Sequence, residues 1–280
     1  MKTLLKRFFA QPAGVVGAVL LLAVLILAIG APLFYPGDPW AMVASPSLPL
    51  GSPGHVFGTD MLGRDVAAGV AHGARVSLLI GLTATLVAVV VGTALGAAAG
   101  YYGGRVDDLV MRFTEIFQTI PGFLLALLMV AIFGSSMYSI VLSIGVISWP
   151  SVARLVRAEF LSLRSRDFVK AAVLGGQSDL RILFHQILPN ALSPIVVVAS
   201  LNMATAILLE SAISFLGLGD RNMISWGFMI GAGRTTLMHA WWLSAIPGAA
   251  IFITVLALNL MGDALNHALN PRTKKAGGFA

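Results

Sequence analysis

The sequence predicts an all-α, polytopic membrane protein with six transmembrane helices, on three observations. First, 58% of the residues are hydrophobic and only 11% charged, whereas soluble domains carry about 25% charged residues. Second, Asp, Glu, Lys and Arg are absent from residues 8–37, 76–104, 116–153, 182–209 and 235–262, and about 20 apolar residues cross a bilayer as a helix. The third of these windows is long enough for two crossings, with Gly134-Ser135-Ser136 as a tight turn between them. Third, the windows lack the two-residue alternation of a barrel strand, and in lipid a helix satisfies its own backbone amides.

In chain order, span one covers about residues 12–35. Lys2, Lys6 and Arg7 precede it as in a secretory signal, but the apolar run exceeds the roughly 7–15 residues of a signal core, so it reads as a retained span. Residues 36–74, dense in Pro, Gly and Ser, form an external, partly ordered connection. Span two (about 75–100) closes at Tyr101-Tyr102-Gly103-Gly104, with Arg105 and Asp107-Asp108 beyond it. Spans three (about 108–133) and four (about 137–160) form a hairpin. A polar, basic stretch follows, then span five (about 188–216), an external segment (217–240) and span six (about 241–267), with a short flexible tail from Asn270. The chain thus divides into an N-terminal helix and external loop (1–72), a core domain (73–272) holding a cytosolic loop (160–188), and a tail (273–280). Gly92, Gly96 and Gly100 recur every fourth residue in span two and stack on one face, a ridge that lets another helix approach closely in lipid.

Charge sets the orientation. Threading six spans with the N-terminus in the cytosol puts Lys2, Lys6, Arg7, Arg105, Arg112, Arg154, Arg157, Arg164, Arg166, Lys170, Arg181, Arg272, Lys274 and Lys275 inside. Only Arg64, Arg75, Arg221 and Arg234 fall outside, so both termini are expected in the cytosol. The net charge of +6 is accounted for by topology and requires no nucleic-acid partner. Cysteine is absent, which excludes disulfides and thiolate metal sites, and the five His are too scattered for a metal cluster. No G-x-x-x-x-G-K-[ST], His-Glu-x-x-His or Gly-x-Ser-x-Gly occurs, so no catalytic residues, no metal site and no enzymatic activity are expected.

The basic stretch between Pro150 and Pro189 is more than a connection. Ser165 is placed to cap a short helix whose first turn holds Asp167, and Gly175 or Gly176 is placed to end it in the left-handed conformation. Phe168, Ala171, Ala172 and Gly175 then share one face, an aromatic knob beside small residues. A helix lying on lipid headgroups would show a wide Leu, Phe or Trp face instead; this narrow face suits a groove in a soluble partner. Ser178 can cap a further turn, and Pro189 opens span five. Glu210, late in span five, is costly in lipid; it fits a substrate path, a partner contact or a hydrogen bond across helices.

These residues resemble the cytosolic-loop signature of the membrane subunits of ATP-binding-cassette (ABC) importers. Lys170-Ala171-Ala172, Gly176 and Leu188-Pro189 occupy the matching positions at the matching spacing. Lys170 stands where the family usually has Glu, and Gln186, beside Ile187, stands where it has Ile. Further blocks narrow the resemblance to the C-type permease of dipeptide, oligopeptide and nickel importers. They are Phe57-Gly58-Thr59-Asp60-Met61-Leu62-Gly63-Arg64-Asp65, Gly73-Ala74-Arg75-Val76-Ser77-Leu78, Ala153-Arg154-Leu155-Val156-Arg157, Ser214-Phe215-Leu216-Gly217-Leu218-Gly219, and Asn259-Leu260-Met261-Gly262-Asp263 with Asn270-Pro271 near the end.

The resemblance implies the type I ABC importer transmembrane fold in a bacterial cytoplasmic membrane. It implies a B-type permease, two cytosolic ATPase subunits and an extracytoplasmic solute-binding protein as partners, beside membrane lipid. ATP and magnesium would be bound by the ATPases, with no cofactor on this chain. Phe168, Lys170, Ala171, Ala172, Gly175, Gly176, Leu188 and Pro189 become ATPase-coupling residues, and the chain half of an alternating-access path for peptides. The alternatives are the same role for nickel or a metal chelate, or an ion-coupled secondary transporter. The last predicts paired intramembrane carboxylates or discontinuous helices at midplane, and the mid-span positions are nearly charge-free.

Overall fold

The computed structural model describes residues 7–269. Lys2, Lys6, Arg272, Lys274, Lys275, Asn270-Pro271 and the expected tail at 273–280 lie outside the described residues. Helix α1 (Pro12–Phe34) is followed by a long loop and by α2 (Val66–Tyr102), α3 (Gly104–Thr119), α4 (Gly122–Phe133) and α5 (Met137–Arg164). The short α6 (Asp167–Leu174) leads through one helical turn (Asp179–Arg181) and a wider π-type turn (Ile182–Ile187) into α7 (Leu188–Ile213). Helix α8 (Trp226–Gly233) and the long α9 (Trp242–Leu269) complete the described chain. Helices α1, α2, α5, α7 and α9 are each long and apolar enough to cross a membrane, and α3 with α4 makes a sixth span if the bent pair is one crossing.

That bent pair corrects the expected third span. Instead of one helix over about 108–133, α3 and α4 meet at an 83° bend. Ile120 is extended (φ −88°, ψ 129°) and Pro121 follows it. Proline cannot donate to the helical ladder, and it disfavours helical backbone in the residue before it, so the helix stops at Thr119 and restarts at Gly122. Helix α3 is amphipathic, with Asp107, Asp108, Arg112 and Glu115 interleaved with Leu109, Phe113 and Ile116.

Span two is also longer than expected. It starts at Val66, where the Asp65 carboxylate caps it by accepting from the Ala68 amide (2.9 Å). At 1.5 Å per residue its 37 residues measure about 55 Å, well beyond a hydrocarbon core of about 30 Å. The expected boundary at residue 72 therefore falls inside a continuous helix. The loop before it is folded: buried Thr59 donates to the Ser45 carbonyl (2.6 Å) and accepts from the Leu48 amide (3.0 Å), and Asp60 accepts from the Leu62 and Arg64 amides.

The glycine ridge of α2 seats against α5. A Cβ on Gly92 would lie 2.6 Å from Val152 Cβ, one on Gly96 2.3 Å from the Ala153 carbonyl oxygen, and one on Gly100 2.7 Å from the Arg157 carbonyl oxygen. Backbone thus meets backbone over more than two turns. Elsewhere in the bundle one apolar cluster joins Val24, Ala28, Leu78, Ile207, Trp226 and Ile251 of α1, α2, α7, α8 and α9. A second joins Ile80, Ala84, Val130, Ile140, Ile144 and Ile213 of α2, α4, α5 and α7.

Gly96→Leu is predicted to destabilise the chain by about 1–3 kcal/mol through overpacking, read in SDS unfolding followed by circular dichroism. Ala94→Leu, at an exposed position of the same helix, is predicted to behave as wild type. Equal behaviour of the two variants would contradict the ridge assignment.

Candidate functional site

Helix α6 begins without the expected cap. Arg166 is its N-cap and supplies no side-chain bond, while the Ser165 hydroxyl donates to the Ser162 carbonyl (2.9 Å) and closes α5 instead. Asp167 lies in the first turn, where its charge suits the helix dipole, 3.6 Å from Lys170 Nζ. The C-terminus closes as a Schellman motif. The Gly176 amide donates to the Val173 carbonyl and the Gln177 amide to that of Ala172, with Gly176 in the left-handed region (φ +71°). Ser178 precedes the turn Asp179–Arg181 without a side-chain capping bond.

The seat of α6 is apolar. Val169 and Ala172, three residues apart, are buried in a cluster with Tyr101 of α2, Val152, Val156 and Phe160 of α5, and Ile182, Leu183 and Ile187 of the π-type turn. This corrects the expected docking face: Ala172 is only 8% exposed and points into the chain, not towards a partner. Ala171, Gly175 and Gly176 are exposed, Phe168 is 40% exposed and Leu174 90%. Lys170 is also exposed. The outward face is therefore Ala171 and Leu174 flanked by Lys170 and Phe168. The π-type turn ends where the Leu188 amide reaches back to the Leu183 carbonyl. Pro189 has no amide to continue the ladder and its ring excludes a close carbonyl one turn back, so the widened turn carries the chain into α7 without a break. Leu188 is partly buried and Pro189 exposed.

Two polar contacts that the sequence did not single out hold this end together. The Arg157 guanidinium grips Asp107 through Nε and Nη2, joining α5 to α3 in a bidentate pair. The Tyr101 hydroxyl donates to Asp179 Oδ1 (2.7 Å), joining the end of α2 to the turn after α6. Beside it lies a cleft of about 610 Å³ whose walls include Tyr102, Arg164, Lys170, Val173 and Leu174. The readable signal was the apolar spacing of Val169 and Ala172; pairings across 50 and 78 residues leave none in a single sequence.

Glu210 sits at the opposite end of α7 and is 1% exposed. Its Oε1 accepts from Ser214 Oγ (2.8 Å) and Ser225 Oγ (2.6 Å). Ser225 in turn caps α8 by accepting from the Phe228 amide (3.0 Å). Trp226, fully buried, donates its amide to Ser77 Oγ and its indole N–H to the Val70 carbonyl, both on α2. Of the three roles open to Glu210, the hydrogen bond across elements is present: its carboxyl joins α7 to Ser225 at the start of α8. A cavity of about 660 Å³ lies at this end between the loop and α8, with Trp40, Arg64, Phe215, Arg221, Phe228 and Arg234 in its wall; Glu210 is not part of that wall. Arg64 stacks on the Trp40 ring at 4.6 Å, and Arg234 Nη1 donates to the Phe215 carbonyl (2.8 Å).

Glu210→Ala is predicted to cost about 1–3 kcal/mol per hydroxyl left without an acceptor, whereas Glu210→Gln, which keeps an acceptor oxygen, is predicted to cost less. Detergent thermal unfolding of the two variants checks this, and an equally stable Glu210→Ala would remove the structural role.

Residues 92–275 match the model of the binding-protein-dependent transport system inner membrane component family, and residues 1–48 match the N-terminal transmembrane domain of oligopeptide transport permease C. The di/tripeptide transport system permease protein DppC of Pseudomonas aeruginosa is 39% identical, over 97% of this chain and 93% of that protein. The oligopeptide transport system permease protein OppC of Escherichia coli K12 is 40% identical, over 96% of this chain and 90% of that protein. Among solved structures, a chain of the MetNI methionine ABC transporter in its inward-facing conformation superposes with a TM-score of 0.60 at 19% identity, over 72% of this chain and 96% of that one. At that identity the likeness shows the fold, which is the type I ABC importer transmembrane fold. A helical bundle closed by a glycine ridge, a short helix seated at one end, and relatives matched along nearly their whole length lead to one assignment: the chain belongs to the binding-protein-dependent transport system inner membrane component family, a family of transport permeases and not of enzymes.

Proposed function

We propose that this chain is the C-type membrane subunit of an ATP-driven importer of peptides, and that α6 is the element through which separate ATPase subunits drive it. The observation that carries the reading is the exposed face of α6, Ala171 and Leu174 with Lys170 and Phe168, on a helix whose other face is buried against α2 and α5. A partner holding that face moves the cluster beneath it, and with it α5 and, through the π-type turn and Pro189, α7. ATP binding and hydrolysis in the partner pair then switch a path between this chain and a second, B-type permease from one side of the membrane to the other. Coupling requires that the ATPases bind the two states with different affinity.

In this reading ATP and magnesium belong to the ATPases, this chain binds no cofactor, and an extracytoplasmic solute-binding protein delivers the peptide. The peptide assignment is supported by the relatives' substrates, di- and tripeptides for one and oligopeptides for the other. The cytosol lies at the α6 end in a bacterial cytoplasmic membrane, with both termini inside. The gathering of Arg105, Arg154, Arg157, Arg164, Arg166, Lys170 and Arg181 toward that end supports this orientation. Ala172 serves as floor and not as contact; Gly175 and Gly176 end the helix short so that its tip stays accessible.

Ala171→Arg is expected to insert normally but to lower both ATPase co-purification and ATP-dependent uptake of trialanine into membrane vesicles by more than about tenfold, the scale of a buried unpaired charge at an interface. Wild-type uptake by this variant would refute the docking face. Uptake driven by a proton gradient without ATP would refute the importer class.

A further inference from the structure

We infer that Tyr101 is a positioning residue that locks α6 to the end of α2, so that α2 travels with the ATPase-held helix as one body. The inference rests on the coupling role proposed for α6 and extends it to a helix that α6 does not adjoin in sequence. Tyr101 is the penultimate residue of α2 and is 7% exposed. Its ring belongs to the cluster that buries Val169 and Ala172, and its hydroxyl donates to Asp179 Oδ1 at 2.7 Å. One side chain therefore shares the apolar cluster of α6 through its ring and holds the return turn after α6 through its oxygen.

Two features make this a lock. The acceptor is a carboxylate, so the bond is charge-assisted and directional, unlike the apolar contacts around it, which tolerate sliding. Asp179 itself is exposed, so the bond sits at the rim of the cluster, where a tilt of α6 away from α2 would break it first. Further along, α2 is held to α5 at Gly92, Gly96 and Gly100 with no room for a Cβ. Tyr101 thus closes a loop: α6 continues α5 in sequence, α5 is held to α2, and α2 returns to the far side of α6. A force on α6 has no free joint at which to dissipate.

The test uses the complex with its permease and ATPase partners in proteoliposomes. Tyr101→Phe keeps the ring and removes the hydroxyl, Asp179→Ala removes the acceptor, and Asp179→Asn keeps an acceptor oxygen. Trialanine imported per ATP hydrolysed is expected to fall about fivefold or more in the first two, with complex yield and the KM for ATP unchanged. Asp179→Asn should retain most of the wild-type ratio, and Tyr101→Phe combined with Asp179→Ala should be no worse than either alone. Additive losses, or a wild-type ratio in Tyr101→Phe, would overturn the inference.

A second measurement needs no destabilising variant. The chain has no cysteine, so Tyr102→Cys and Val173→Cys, both exposed positions outside the face offered to the ATPase, give a single spin-label pair. Its distance is expected to stay the same in nucleotide-free and ATP-bound complexes. A change of about 5 Å, one helical turn, would show α2 and α6 moving separately and sink the lock. Failure of the intact chain to retain any ATPase would instead count against the coupling role of α6 itself.

Discussion

Backbone contact between α2 and α5 is the constraint on which the other elements depend. Lipid tails are as apolar as leucine, so helices in a bilayer gain little from hydrophobic burial and associate through close packing and hydrogen bonds. Gly92, Gly96 and Gly100 remove side chains along one line of α2, and the carbonyls of Ala153 and Arg157 occupy the space released. With that seam closed, Val152, Val156 and Phe160 face the α6 end as a fixed floor, and Ile140 and Ile144 of the same helix face α4 and α7. Widening the seam would loosen both clusters together.

Each end of the bundle is closed by polar groups, and the two closures differ in kind. At the α8 end, a carboxyl group removed from solvent is kept there by serine hydroxyls: Ser214 and Ser225 donate to Glu210, and Ser225 also caps α8. A buried polar group is costly unless it is hydrogen-bonded, so the Glu210 bonds to Ser214 and Ser225 hold α7 and α8 in register. At the α6 end the polar contacts lie near the surface: Arg157 with Asp107, Tyr101 with Asp179. They restrain direction more than they add stability. Under the proposed coupling role, this suits an end that receives force from a partner.

The amphipathic division of α6 links packing to function. Val169 and Ala172 fasten it to the bundle, leaving Ala171, Leu174, Lys170 and Phe168 exposed, the face proposed for the partner. A helix of eight residues would not persist alone in water. Its order comes from the floor beneath it and from the Schellman closure at Gly176, and so the surface it offers a partner is shaped by the transmembrane core.

The sequence by itself determined what depends on local composition. Apolar windows of membrane length, glycines four apart, a left-handed glycine after a short helix in a basic stretch and a proline opening α7 were all legible, because bilayer thickness and backbone sterics act on neighbouring residues. Tertiary structure decided whatever depends on distant partners. Ala172 and Ala171 are the same residue type in adjacent positions, and only the position of Tyr101 and Phe160 sends one inward and leaves the other out. That Glu210 has a hydrogen-bond partner at all depends on Ser225, fifteen residues away, being brought against it. The break at Pro121 stands between: the proline was visible, but an interior proline is compatible with a continuous helix, as Pro150 and Pro194 show within α5 and α7. What turned it into an 83° bend is the extended backbone at Ile120, which sends α3 and α4 in different directions.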